Sequence, residues 1–170
     1  MLNVRQLEDP DAQQASDVLI AAFKSFLKEK FNENDAACFH PEKLKKEAFV
    51  KDQFMVSQIV VAEEDGRILG VVKVTAATNG LGCFDYVRVD PACRARGIGT
   101  ILMAWAERFW QEHRQRKIHT CVAAHNKRAV MYYLKYDFVP EGYSRDHFRS
   151  GVDEIILGRF LKNSMEGALI

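Results

Sequence analysis

Long apolar runs are the first thing missing from this 170-residue chain. None approaches the ~20 residues that a bilayer-spanning helix needs, the richest short stretches being Ile59 to Ala62 and Ile68 to Val72, so no membrane partner is expected. The opening residues, MLNVRQLEDP, lack a basic segment followed by an apolar stretch of the signal-peptide kind, which predicts a cytoplasmic protein. Excess charge of either sign is missing too. With 24 Lys and Arg against 23 Asp and Glu, the net charge of +1 leaves no electrostatic footprint for non-specific nucleic-acid binding. Cysteine is scarce: Cys38, Cys83, Cys93 and Cys121 form no CxxC and have no neighbouring His at metal-ligand spacing. Reduced, mostly buried thiols are expected, with neither a metal site nor a disulfide framework. Repeats, low-complexity segments and Pro/Gly/Ser-rich linkers are also absent, so one domain over residues 1–170 is expected.

What is present is an ordered series of periodicities. A short strand at Val4–Leu7 leads through Asp9-Pro10, a helix-opening pair, to Ala15, Val18, Leu19, Ala22, Phe23 and Phe26, one apolar face of a helix. Residues 28–40 are a polar loop carrying Phe31 and Phe39, and Pro41 opens a charged helix to about Val50. Val56–Ala62 and Arg67–Ala76 read as a hairpin turned at Asp65-Gly66. A strand follows at Cys83–Val89. Ile98, Ile101, Leu102, Trp105 and Phe109 then mark the buried face of a helix from Gly97 to about Gln115. A strand at Ile118–Ala123, a helix at Asn126–Tyr136 and strands at Phe138–Tyr143 and Val152–Phe160 complete the order. The pattern β-α-α-β-β-β-α-β-α-β-β predicts an α/β (α+β) domain with a mixed sheet, because a helix crossing between strands implies parallel neighbours.

The residues between Val87 and Thr100, VRVDPACRARGIGT, lead a strand through an Arg/Gly loop into a helix. Unpaired N–H groups at the start of a helix, together with its dipole, favour a phosphate. Gly97 and Gly99 let backbone approach it closely, and Arg94 or Arg96 adds charge. The loop lacks the GK-S/T ending of a P-loop and does not fit G-x-G-x-x-G. A glycine-eased turn with solvated arginines is the alternative reading of the same residues.

The run V-x-V-D-P-x-x-R-x-x-G-x-G-T resembles the acetyl-CoA-binding signature of the GNAT superfamily of N-acetyltransferases, with core pattern Q/R-x-x-G-x-G/A filled by Arg94, Gly97 and Gly99. Asn126, Ala129, Tyr133 and Phe138 stand in the family's N-x-x-A-x-x-h-Y-x-x-x-G-F block, with Asp137 at the usual glycine, a residue that tolerates left-handed backbone. The resemblance spans the whole order of elements. It implies a single domain with a central, partly splayed mixed sheet of about seven strands flanked by about four helices.

It further implies acetyl transfer from acetyl-CoA to a primary amine, small-molecule or peptide, by direct attack in a ternary complex that releases CoA. A non-catalytic acyl-CoA-binding or sensing module of the same fold is the alternative. By similarity, amides around Ala95, Arg96, Gly97, Gly99 and Thr100 hold the pyrophosphate, and main-chain groups of Val87 and Val89 pair with the pantetheine. Asn126 bonds the pantetheine or caps its own helix, and Tyr133 protonates the leaving thiolate or packs in the core. Asp85 is the first candidate for general base, since strand parity places it with Val87 and Val89. His125 is the second, and His147 either lines the acceptor side or lies on the surface. Residues 28–40 and the final turn are expected to set acceptor choice. Cys93 and Cys121 show no base partner in the sequence, against a covalent route, and the apolar run Ile155-Ile156-Leu157 suggests a homodimer through the last strands.

Overall fold

Alternating residues in Met55–Glu64 (β3) and Arg67–Ala77 (β4) pair antiparallel around Asp65-Gly66, both at positive φ (52° and 79°), the backbone a tight hairpin requires. The structure, a computed structural model, describes residues 2–161; residue 1 and residues 162–170 of the expected domain lie outside them. Around the hairpin stand β1 (Asn3–Gln6), α1 (Ala12–Leu27), α2 (Glu33–Ala37), α3 (Pro41–Glu47), β2 (Phe49–Lys51), β5 (Leu81–Val89), α4 (Ile98–Glu112), β6 (Lys117–Ala123), α5 (Lys127–Lys135), β7 (Val139–Arg149) and β8 (Val152–Phe160). The sheet order is β1-β3-β4-β5-β6-β8-β7, with β2 on β3. No helix among the described residues is long and apolar enough to cross a membrane.

Among the described residues every pairing is antiparallel except β5 with β6, which run parallel over Leu81–Cys83 and Lys117–His119. Beyond that short ladder β5 continues to Val89 on β4 alone and β6 to Ala123 on β8 alone, so the sheet opens in its middle. Helix α4 covers one face, packing Ile98, Leu102, Met103 and Trp110 with Phe84. Helices α1 and α3 cover the other, with Leu19, Phe23 and Leu44 on Ile59 and Val61.

Among the described residues eight strands form the sheet and five α-helices stand around it, consistent with the about seven and about four expected. Local details differ. Helix α3 stops at Glu47 because Phe49–Lys51 finds a ladder on β3, and a long-range partner overrides local helix preference. The polar loop contains α2 because Asn32 accepts from the amides of Asn34 and Asp35 while Asp35 returns a bond to the Asn32 amide. On α4 the buried stripe includes Met103, Ala106 and Trp110, while Ile101 is 41% exposed. Finally, β8 lies inside the sheet between β6 and β7, where Leu157 is buried and Ile155 and Ile156 are partly buried.

Candidate active site

After β5, the Asp90 side chain accepts from the Ala92 amide at 2.9 Å and pairs with Arg67 at 2.8 Å, fixing the exit of the strand. The chain then turns through Ala95 (φ 64°) and Gly97 (φ 80°) into α4, and no side chain caps that helix start. Its first amides therefore face a cavity of about 370 Å³ lined by Val87, Val89, Arg94, Gly99, Thr100 and Asn126, among others. From the far side α5 clasps the loop: Tyr132 donates to the Gly99 carbonyl at 2.6 Å and Tyr136 to the Thr100 hydroxyl at 2.8 Å.

The arginines divide. Arg94 lines the cavity, held by Ser25 at 2.6 Å, whereas Arg96 turns outward to Glu64 at 2.6 Å and does not line it. Burial lowers the Arg94 pKa and the charge of Arg128 lowers it further, so two cations converge where an anion is needed. Arg128, which also lines the cavity, was not expected; it occupies a variable position of the second motif, and only the fold turns it inward. Among the described residues this donor set, open helix amides with Arg94 and Arg128, suits a pyrophosphate.

Helix α5 is built from its caps. Asn126 accepts from the Ala129 amide at 3.2 Å, so its capping role is present while its side chain still edges the cavity. At the other end the Asp137 amide bonds to Leu134 and the Phe138 amide to Tyr133, a Schellman closure with Asp137 at φ 61° and the Phe138 ring 5.3 Å from that of Tyr133. Asp137 thus takes the left-handed conformation in which glycine is unstrained. Asp137→Gly is expected to stabilise the protein by up to about 1 kcal/mol, a Tm rise of roughly 2–4 °C by calorimetry; an unchanged or lower Tm would count against strain at this turn.

The same cap fixes Tyr133, which is 2% exposed and stands where the first cavity meets a second of about 290 Å³. Burial pushes its phenol up to about 12, against the opposing effects of Arg88 and of a hydrogen bond with Thr120. The second cavity opens where β5 and β6 part and is lined by Asp85, Tyr86, Arg88, His119, Cys121 and Glu154, among others. Asp85 arrives by an unexpected route. A bulge leaves it unpaired between Phe84, opposite Val74, and Tyr86, opposite Lys73. It bonds Thr75 at 2.8 Å on the α1 face, while Val87 and Val89 pack on the α4 face, so the parity argument fails because one extra residue reverses the alternation. The surrounding walls raise the Asp85 carboxyl above the ordinary range, although the residue as a whole has exposed surface.

His125 is not with them. It is exposed and borders an adjoining groove beside Phe26, Lys28 and Lys30, lining neither cavity that contains Tyr133. His119, which carried no sequence argument, does line the second cavity, held by the Gly82 carbonyl at 3.0 Å. His147 bonds Glu154 at 2.6 Å, and ligand atoms of Cys121, His147 and Glu154 lie within 4.8 Å of one another, a geometry able to hold a cation that three different strands assemble. Cys121 therefore has a neighbouring histidine after all, but burial and Glu154 both raise its thiol pKa, disfavouring a thiolate. Mostly buried thiols were expected, yet only Cys93 is buried; Cys38 and Cys121 are exposed.

Residues 20–138 match the acetyltransferase (GNAT) family. No curated protein matches the chain in sequence. Among solved structures it is similar to the PaiA N-acetyltransferase of Thermoplasma acidophilum in complex with coenzyme A, at 18% identity and TM-score 0.78 over 95% of this chain and 99% of that one. It is similar also to the ribosomal-protein-S18-alanine N-acetyltransferase of Escherichia coli, at 16% and 0.75 over 100% and 99%. Ard1 of Thermoplasma volcanium follows, at 17% and 0.73 over 94% and 97%. At these identities the likeness is one of fold.

Proposed function

Because this chain belongs to the GNAT acetyltransferase family and is an acyltransferase, we propose that it moves an acetyl group from acetyl-CoA to a primary amine, by direct attack in a ternary complex. The observation that carries this reading is the meeting of two cavities at Tyr133, one suited to a pyrophosphate and the other carrying a carboxylate and a histidine. When bound, acetyl-CoA supplies the activated thioester. The open amides of α4 with Arg94 and Arg128 hold its phosphates, and main-chain groups at the end of β5, around Val87 and Val89 on the edge that parts from β6, bind the arm that leads inward.

The acceptor amine must lose a proton. Asp85 is the base we assign, in place of His125, because it lines the cavity that Tyr133 closes; its raised pKa brings the carboxylate nearer to the working pH. The Tyr133 phenol keeps its proton at neutral pH and donates a hydrogen bond to the leaving sulfur. The raised pKa of Cys121 favours direct attack over an acetyl-cysteine route.

The test is a thermal-unfolding titration with acetyl-CoA, CoA and NAD in parallel, followed by amines with CoA thiol release as the readout. At 100 times Kd a specific ligand adds about 2.7 kcal/mol to stability, so both CoA ligands should raise Tm clearly and NAD should not. Absence of a shift at millimolar CoA would reject the cofactor site. Binding without an acetylated product across a broad amine panel would point instead to an acyl-CoA-sensing module.

A further inference from the structure

Two buried hydrogen-bonding groups in the second cavity have no partner among the described residues, and both are donors: Arg88 Nε and the Tyr86 hydroxyl. Arg88 extends from β5 with its guanidinium over the rings of Phe23 and Phe26, centroids 4.6 and 5.5 Å away, and spends Nη1 on the Val87 carbonyl at 2.8 Å. No carboxylate lies within ion-pair distance of it among the described residues. Arg159, whose Nε is likewise unpartnered, still holds Glu107 at 2.7 Å, and the similarly shielded Arg149 holds Asp35 at 2.6 Å, so each has the carboxylate partner that Arg88 is without. A buried cation without an anion is costly, and an orphaned buried donor adds to that cost; both are relieved by a ligand that only accepts. The two aromatic faces hold the guanidinium plane in place before any ligand arrives. Asp85 and Glu154 line the same cavity with charge of the opposite sign, suited to an ammonium group.

We propose that Arg88 and Tyr86 form a carboxylate-binding subsite of the acceptor cavity, and that the acceptor is a small molecule bearing both an amine and a carboxylate, a free amino acid. This rests on the acetyl-transfer reading above and narrows its substrate class. A cavity of about 290 Å³ matches a ligand of that size. Arg88 fixes one end of the acceptor while the amine is presented towards Tyr133.

The test compares, for the acetyl-CoA-loaded protein, L-amino acids with their carboxamides and with the corresponding decarboxylated amines. The acids should be favoured by roughly 30-fold or more in kcat/KM. Arg88→Gln should reduce that preference to within a few-fold while leaving acetyl-CoA affinity and Tm near wild type. Arg88→Lys, which keeps the charge and protects the fold, should still lose most of the preference because the planar fork is gone. Tyr86→Phe should lower it by a smaller factor. Equal use of acids, amides and amines would overturn the proposal. So would an Arg88 variant that weakens acetyl-CoA as much as acceptor, since the cation would then serve the cofactor. Calorimetric titration of amino acids and amides into the CoA-loaded protein reads the subsite without turnover: selective binding of acids without acetylation refutes the transferase reading and upholds the subsite, whereas no selectivity refutes the subsite.

Discussion

Tyr133→Phe is expected to lower kcat by about 10- to 150-fold while leaving the Kd for CoA nearly unchanged, measured by steady-state kinetics and by titration of the variant. The size follows from the phenol's environment. Its pKa is pushed up to about 12, whereas a departing thiol has a pKa near 8.5, so complete proton transfer to sulfur is uphill and the phenol acts chiefly as a donor to developing negative charge. A hydrogen bond to a charged partner contributes about 1.5–3 kcal/mol, which sets the stated range. A loss above about 1,000-fold would mean full general-acid catalysis, with a pKa lower than the buried position suggests. Unchanged turnover would leave Tyr133 a core residue only. For the same reason ionisation of Tyr133 should produce no falling limb in the rate profile below about pH 10. Removing one hydroxyl opens little space, and the ring keeps its contacts with Phe84 and Phe138 at 5.6 and 5.3 Å, so a large Tm change would invalidate the kinetic reading.

The second large effect concerns the fold that holds the site. Trp110→Ala is expected to destabilise the protein by about 3–5 kcal/mol, a large part of the ~5–15 kcal/mol typical of a domain. Trp110 is fully buried, stacks edge-on to Phe84 at 5.0 Å and donates from its indole to the Thr75 carbonyl at 3.1 Å. It also fills the space over Gly82, where an added Cβ would stand 2.8 Å from the ring. Gly82 lies in the brief parallel ladder of β5 with β6, just before the strands part, so Trp110 is among the α4 side chains that brace the sheet where it begins to open. Calorimetry should show a Tm loss of roughly 6–20 °C, with Trp110→Phe losing markedly less. Equal losses for the two variants would show that ring volume is not what the site requires.

Much of this architecture was legible because its causes are local. The hairpin at Asp65-Gly66 needs two residues at positive φ and has them. The loop into α4 turns on Gly97, and α5 begins with an asparagine cap and ends in a Schellman closure that places Phe138 on Tyr133. The second motif can thus be understood as capping chemistry that delivers one tyrosine. Less legible was the side of the sheet from which Asp85 would act, because a bulge has no signature in a single strand and is visible only against the register of its neighbour. His119, Cys121 and Glu154 share a cavity through pairing among β5, β6 and β8, and Arg96 turned away because Glu64, thirty-two positions earlier, reaches it first.

What the sequence by itself determined, then, is most of what hydrogen bonds and periodicity settle within a few residues: the long helices α1 and α4, the capped helix α5, the hairpin, the glycine turn into α4 and the position of Tyr133. The tertiary structure decided which polar groups face one another across the open sheet. It buried Arg88 with no carboxylate in ion-pair reach among the described residues, brought Asp85 to the α1 face, and separated His125 from the residues it was expected to join. The physical reason is that a side chain's partners and dielectric surroundings depend on strands far away in sequence, and a shift of register by one residue exchanges inside for outside.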